Sequence, residues 1–264
     1  MPVIKFSNNI YFAIGILIAF AFSSCGNRGK GKNIFHYNEQ TGIATLDPAF
    51  AKNQSIMWAV HQLYNTLVQT DDNLNIIPSL AKSWEESGDN MRFVFHLRND
   101  VFFHDNDAFP NGKGRKMTAR DVVYSFSRIM DKNTASSGAW IFNGRVDSLT
   151  PFTAVDDTTF QLQLKSPFNP VLGLLSMQYC SIIPHEIVDK YGKDFRSHPC
   201  GTGPFQFVAW EEGQALILKK NPFYFERDSS GNRLPYLNGV AVSFYENKAT
   251  EFLEFQQNRL DFIN

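Results

Sequence analysis

The densest run of chemically capable side chains in this sequence is His104-Asp105-Asn106-Asp107, four potential ligands or proton carriers in a row. A calcium loop of the EF-hand kind needs Gly at its sixth position and Glu at its twelfth, and counting from Asp105 those places hold Pro110 and Lys116. The run therefore reads as a polar turn closing the strand that ends at Phe103. The basic, glycine-rich segment Gly112-Lys113-Gly114-Arg115-Lys116 lacks both the Gly-Lys-Ser/Thr ending and the preceding strand of a phosphate cradle, and reads as a solvated loop. No Gly-x-Ser-x-Gly elbow, His-Glu-x-x-His pair or Cys-x-x-Cys occurs, and the six His residues are scattered without metal-ligand spacing. The expectation is a protein that is not an enzyme, with no metal site and no cofactor.

The elements around these residues alternate between strand and helix. Asn33 to Tyr37 reads as a strand, and Ile56, Val60, Leu63, Tyr64 and Leu67 recur at helical spacing. Phe93, Phe95 and Leu97 put one apolar face on a strand, and Phe160 to Lys165 alternates as another until Pro167 stops it. Thr118 with Asp121 three positions on forms a capping pair, and Val122, Val123, Phe126, Ile129 and Met130 then share a helical face. A helix with Pro at its start spans Pro170 to Met177. Strands follow at Phe205 to Trp210, Ala215 to Lys219 and Val240 to Tyr245, and a last helix, Thr250 to Asn258, is expected to bury Phe252, Leu253 and Phe255. Leu260 to Asn264 has strand-like composition without a polar tail, so a truncated chain is expected.

With 264 residues, 43% of them hydrophobic, the chain can bury a sizeable core, and its 25 Phe suit either that core or an aromatic-lined cleft. A formal net charge of −1 with interspersed signs gives no field for neutralising phosphates, so nucleic acid is not an expected partner. At the N-terminus Lys5 precedes an apolar run, Ile10 to Phe22, too short to span a bilayer comfortably, and Phe22-Ser23-Ser24-Cys25 follows. This resembles a bacterial lipoprotein cleavage box: residues 1–25 are the signal region ending at a lipidated Cys25, and 26–32 a linker. The folded part is then extracytoplasmic. There Cys180 and Cys200 are the remaining thiols, and both a disulfide and two inert buried thiols stay open.

Ordered segments resemble the family 5 extracellular solute-binding proteins, the oligopeptide, dipeptide and nickel receptors of ABC importers. They run from Thr45-Leu46-Asp47-Pro48 through Leu63-Tyr64-Asn65-Thr66-Leu67, Pro78 to Trp84, Phe93 to Val101 and Met117 to Phe126, then to Gly201-Thr202-Gly203-Pro204-Phe205 and Asn221-Pro222-Phe223-Tyr224. Members are about twice this length. The resemblance implies a mixed α/β (α+β), periplasmic-binding-protein type II-like lobe with an inserted α+β subdomain and the second lobe missing. Residues 33–50 plus 177–264 would form domain I and 51–176 the inserted domain II. It further implies non-catalytic capture of a peptide or other small solute, delivered to an ABC permease in the membrane to which the lipid tethers the receptor. Nickel chelate, haem or a sugar are alternative ligands, and a truncated remnant or interaction lipoprotein an alternative role. Lys52, Asn53 and Gln54 transfer from the family as part of the ligand wall, and Trp140 and Tyr245 are its aromatic candidates. The stretch Asp105 to Arg115, longer than the family's turn, is expected to extend a surface loop away from the cleft. Gly201 and Gly203 are read as scaffold, permitting a positive φ where the chain crosses between subdomains.

Overall fold

A computed structural model describes residues 33–263; Cys25 and the signal region lie outside the described residues. In chain order the elements are β1 (Ile34–Asn38), α1 (Gln54–Leu63), β2 (Val68–Thr70), β3 (Ile76–Pro78), β4 (Ala81–Glu86), β5 (Arg92–Leu97) and α2 (Ala119–Met130). There follow β6 (Phe152–Asp156), β7 (Thr159–Gln163), α3 (Val171–Leu175), α4 (His185–Tyr191), β8 (Phe205–Glu211), β9 (Ala215–Lys220), β10 (Gly239–Ser243) and α5 (Lys248–Gln256). Short 3-10 turns link several of them.

The strands form a mixed sheet ordered β1-β10-β9-β8, an antiparallel sheet ordered β4-β5-β7-β6, and a small β2-β3 hairpin. In the mixed sheet β1 runs parallel to β10, which leaves the other edge of β1 open. The chain end covers part of that edge: Phe262 bridges Tyr37 in parallel, and Asp261 N–H donates to His36 O at 2.7 Å. The strand-like composition near the terminus thus corresponds to one bridge.

Alternation decides which side of the antiparallel sheet is covered. Phe93, Phe95, Phe160 and Leu162 point to one face, and α2 packs its Val122, Phe126 and Ile129 there. Phe126 meets Phe142, Phe152 and Phe160 at ring-centroid distances of 5.0, 5.5 and 5.5 Å, the edge and tilted geometry that aromatic quadrupoles favour. The N-terminus of α2 is tied down where the sequence places it, Asp121 Oδ2 accepting from Thr118 N–H at 2.8 Å. Both sheets share one continuous apolar core.

Two expectations change in detail, and the alternative left open for the two thiols is decided. The segment Asp105 to Arg115 is pinned down: Phe109 is buried and stacks on Phe103, while the Arg115 guanidinium bonds both Asp121 (2.6 and 2.9 Å) and Glu186 (2.5 and 2.9 Å). Phe252, Leu253 and Phe255 of α5 are 49, 53 and 39% exposed, because this helix turns Glu251 inward and its apolar residues out. Cys180 and Cys200 remain separate buried thiols, donating to Leu174 O and His104 O respectively; burial pushes the pKa of both well up. Among the described residues no helix is long and apolar enough to cross a membrane.

Candidate ligand-binding wall

The sequence of α1 divides the helix into two faces. Ser55, Ile56, Ala59, Val60 and Leu63 are buried, while Gln54, Met57, Trp58, His61 and Gln62 lie on the outward side. Asn53 starts the helix, its side-chain oxygen accepting from Ile56 N–H at 3.1 Å, so this amide is committed to capping. The last turn is seated on the Gly201–Gly203 segment. Gly203 N–H donates to Leu63 O at 3.0 Å, and a Cβ added at Gly203 would lie 2.4 Å from Leu63 C. Close backbone approach, and no positive φ, is therefore what these glycines serve: neither has a left-handed conformation. His104 fastens the same segment from behind, its Nε2 bonding Gly203 O at 2.9 Å and its backbone N–H donating to Gly201 O at 2.8 Å.

Three open hollows surround the outward face of α1, and all three include His61 and Gln62 in their walls. The first, about 410 Å³, holds Lys52, Asn53 and Gln54 together with Trp58 and Gln178. The second, about 510 Å³, is aromatic, with Phe35, Tyr37, Trp58, Phe205 and Phe262. The third, about 370 Å³, is polar on one side, with Asn65, Gln69, Tyr224 and Glu226. Trp58 meets Tyr37 edge-on at 6.3 Å and links the first hollow to the second.

Two titratable groups of this wall, His61 and Tyr37, are shifted toward their neutral forms. The Gln178 amide nitrogen lies 3.2 Å from His61 Nδ1 and can only donate, which puts the proton of the neutral ring on Nε2. Desolvation by the hollow's walls lowers the His61 pKa, opposed by the Glu226 charge. Burial, assisted by the Glu39 charge, raises the Tyr37 hydroxyl to about 12. Among the described residues no group of three or more His, Cys, Asp or Glu is arranged to hold a metal ion. What the wall offers a ligand is aromatic surface, side-chain amides, one imidazole N–H and, in separate hollows, the side chains of Lys52 and Glu226.

Of the residues singled out from the sequence, Lys52, Asn53 and Gln54 come together on the first hollow. Trp140 lies elsewhere, in the 3-10 turn Ala139–Ile141, 45% exposed, with the Arg145 guanidinium 5.8 Å from its ring centroid. Tyr245 is half-buried after β10, its backbone exchanging hydrogen bonds with the Asn38 side chain at 2.6 and 3.0 Å. Neither aromatic lines the three hollows. Sequence reasoning passed over Trp58, His61 and Gln62. The signal was present: an indole facing away from the Ile56/Val60/Leu63 stripe is a large apolar group with no core to enter.

The family description "Bacterial extracellular solute-binding proteins, family 5 Middle" matches residues 75–264. Heme-binding protein A of Haemophilus influenzae is 33% identical over 250 residues, 89% of this chain and 44% of that protein. The Dipeptide-binding protein of Escherichia coli is 30% identical, over 74% of this chain and 38% of its own length. Among solved structures, the periplasmic binding protein DppA of Helicobacter pylori in complex with peptide STSA superposes with a TM-score of 0.75 at 30% identity, covering 88% of this chain and 46% of that one. A periplasmic oligopeptide-binding protein of Borrelia burgdorferi gives 0.78 at 26% identity, covering 88% and 47%. The chain thus spans about half the length of these relatives, with the mixed α/β fold of a partial periplasmic-binding-protein lobe. With its matched segment, its relatives and its fold in agreement, the chain belongs to the bacterial extracellular solute-binding proteins of family 5.

Proposed function

We propose that this chain supplies one ligand-holding wall of an extracytoplasmic receptor that captures peptides for an ABC importer, tethered at the membrane surface by a lipid on Cys25 and performing no chemistry itself. The observation that carries the reading is the outward face of α1, where Trp58, His61 and Gln62 connect three solvent-open hollows. A wall of this kind suits an extended peptide, whose main chain takes hydrogen bonds while its side chains occupy roomy, hydrated spaces. The dipeptide receptor of Escherichia coli and the peptide-loaded Helicobacter protein support that ligand class. The division of the folded part into 33–50 plus 177–264 and 51–176 is supported by the strands: those of the mixed sheet come from the first set and those of the antiparallel sheet from the second.

A second reading, haem, rests on the Haemophilus relative and on the aromatic lining of the second hollow. Tryptophan fluorescence separates the two. Titrating the full chain with Ala-Ala-Ala and, separately, with hemin should give a saturable change with the peptide that Trp58→Leu removes. A response to hemin alone would replace the peptide reading with the haem one.

A further inference from the structure

The third hollow contains a carboxylate beside a relay of buried polar groups. Thr202 Oγ1 donates to Asn65 Oδ1 at 3.0 Å, and Asn65 Nδ2 donates to the Tyr224 hydroxyl oxygen at 3.1 Å. The Tyr224 hydroxyl lies near enough to Glu226 that the carboxylate, after burial, helps to raise its pKa, and Gln69 Nε2 donates to Glu226 Oε1 at 3.2 Å. Thr202, Asn65 and Tyr224 are all buried. A relay whose members satisfy one another is rigid and lines the hollow beside the half-buried carboxylate, which Gln69 holds directly.

The carboxylate keeps spare capacity. An ionised carboxylate offers about four lone-pair sites, and Gln69 occupies one. Among the described residues no Lys, Arg or His nitrogen lies within 4.0 Å of it, so its charge is answered only by neutral donors. The same hollow also has apolar lining from Phe205, Leu234, Pro235 and Leu237. That combination fits a long side chain whose methylene stem lies along apolar surface and whose charged head meets an acceptor. The hollow of about 370 Å³ has room for such a head with water to spare, since it would otherwise hold on the order of ten waters. Lys52, the lysine of the neighbouring hollow, stands on a different part of the wall and leaves this one acidic.

We propose that the hollow between the last turn of α1 and residues 224–237 is a subsite for a cationic group of the bound solute, an ammonium or guanidinium, with Glu226 as its acceptor. The inference deepens the peptide reading and takes its choice of ligands from it. Peptides with Lys or Arg at the position over this hollow are selected above neutral ones, and Gln69 acts by positioning Glu226.

The test is calorimetric titration of the full chain with Ala-Ala-Ala, Ala-Lys-Ala and Ala-Arg-Ala, on wild type and Glu226→Gln. The basic peptides should bind about tenfold more tightly than Ala-Ala-Ala, the scale of one charge-assisted contact. Glu226→Gln, which keeps the shape, should abolish that gain, so that the three peptides bind it alike. If Ala-Ala-Ala binds and the gain is missing, or survives in Glu226→Gln, the subsite is overturned while the peptide reading stands. A non-peptide probe covers the remaining case: n-butylguanidinium should shift the amide resonances of Gln69 and Glu226 saturably in wild type and not in Glu226→Gln. That result with no peptide binding would uphold the subsite and refute the peptide reading; no shift would overturn the subsite.

Discussion

Replacing Gly203 by Ala should loosen the wall helix from its seat. The added methyl would sit 2.4 Å from Leu63 C and 2.7 Å from both Gln62 O and Leu63 O, all backbone atoms that no side-chain rotation can move aside. Ordinary contact begins near 3.4 Å, so α1 and the 201–204 segment must part by about 1 Å. Overpacking of this kind costs about 1–3 kcal/mol, and weakening the Gly203 N–H to Leu63 O bond adds about 1 kcal/mol. Urea unfolding of the full chain should show an unfolding free energy lowered by about 2–4 kcal/mol, read as a lower midpoint at unchanged slope. Gly173→Ala is the control: within α3 it meets nothing within 4 Å and should be neutral or stabilising by up to ~1 kcal/mol. Equal stability of Gly203→Ala and wild type, within about 0.5 kcal/mol, would refute the close-approach argument.

Three further outcomes follow from buried groups. Burial lowers the His104 pKa to about 4 from 6.5, so between those values the unfolded chain binds a proton that the folded one does not. Stability is then complete above pH 6.5 and falls toward pH 4, by at most about 3 kcal/mol; His104→Gln should flatten the urea midpoint over that window, and an unchanged slope would sink the assignment. Asp47 holds Arg128 through two bonds of 2.9 and 2.6 Å with both side chains largely buried. Asp47→Asn should cost about 3–5 kcal/mol in the same assay, and a loss below 1 kcal/mol would show the guanidinium finding another partner. Intact-mass analysis of the denatured, unreduced chain after alkylation should find both Cys180 and Cys200 modified, and a mass lower by two hydrogens with neither modified would show a bridge.

Much of the fold is legible in local patterns. The Phe93/Phe95/Leu97 and Phe160/Leu162 alternations, and the Thr118–Asp121 cap with its Val122/Phe126/Ile129 stripe, lie in the elements they predict, because in each case one face has a core to meet. Where the pattern misled, the reason was tertiary. The apolar residues of α5 follow a helical spacing, yet the helix turns Glu251 inward, a choice that depends on what surrounds it. Tyr64 and Leu67 continue the periodicity of α1 beyond its end at Leu63 and are buried without being helical, since the chain turns at Tyr64 and still runs through the core. Gly203 announces itself as special, but whether for φ or for proximity depends on the position of Leu63, 140 residues earlier in the chain.

The wall was legible in part. Lys52, Asn53 and Gln54 were named through the family pattern and share one hollow of the proposed wall, whereas Trp58, His61 and Gln62 required reading the polar face of α1 as carefully as its apolar one. The relay and the carboxylate beside it draw on residues 65, 69, 202, 224 and 226, and no local window contains them all.

The central claim is that solute rests on the outward face of α1. Photo-crosslinking of the full chain with a tripeptide carrying a benzophenone side chain, followed by mass mapping, tests it directly. The account predicts adducts on Lys52 to Gln62, competed away by unlabelled peptide. Adducts confined to other parts of the chain, or insensitive to competitor, would contradict it.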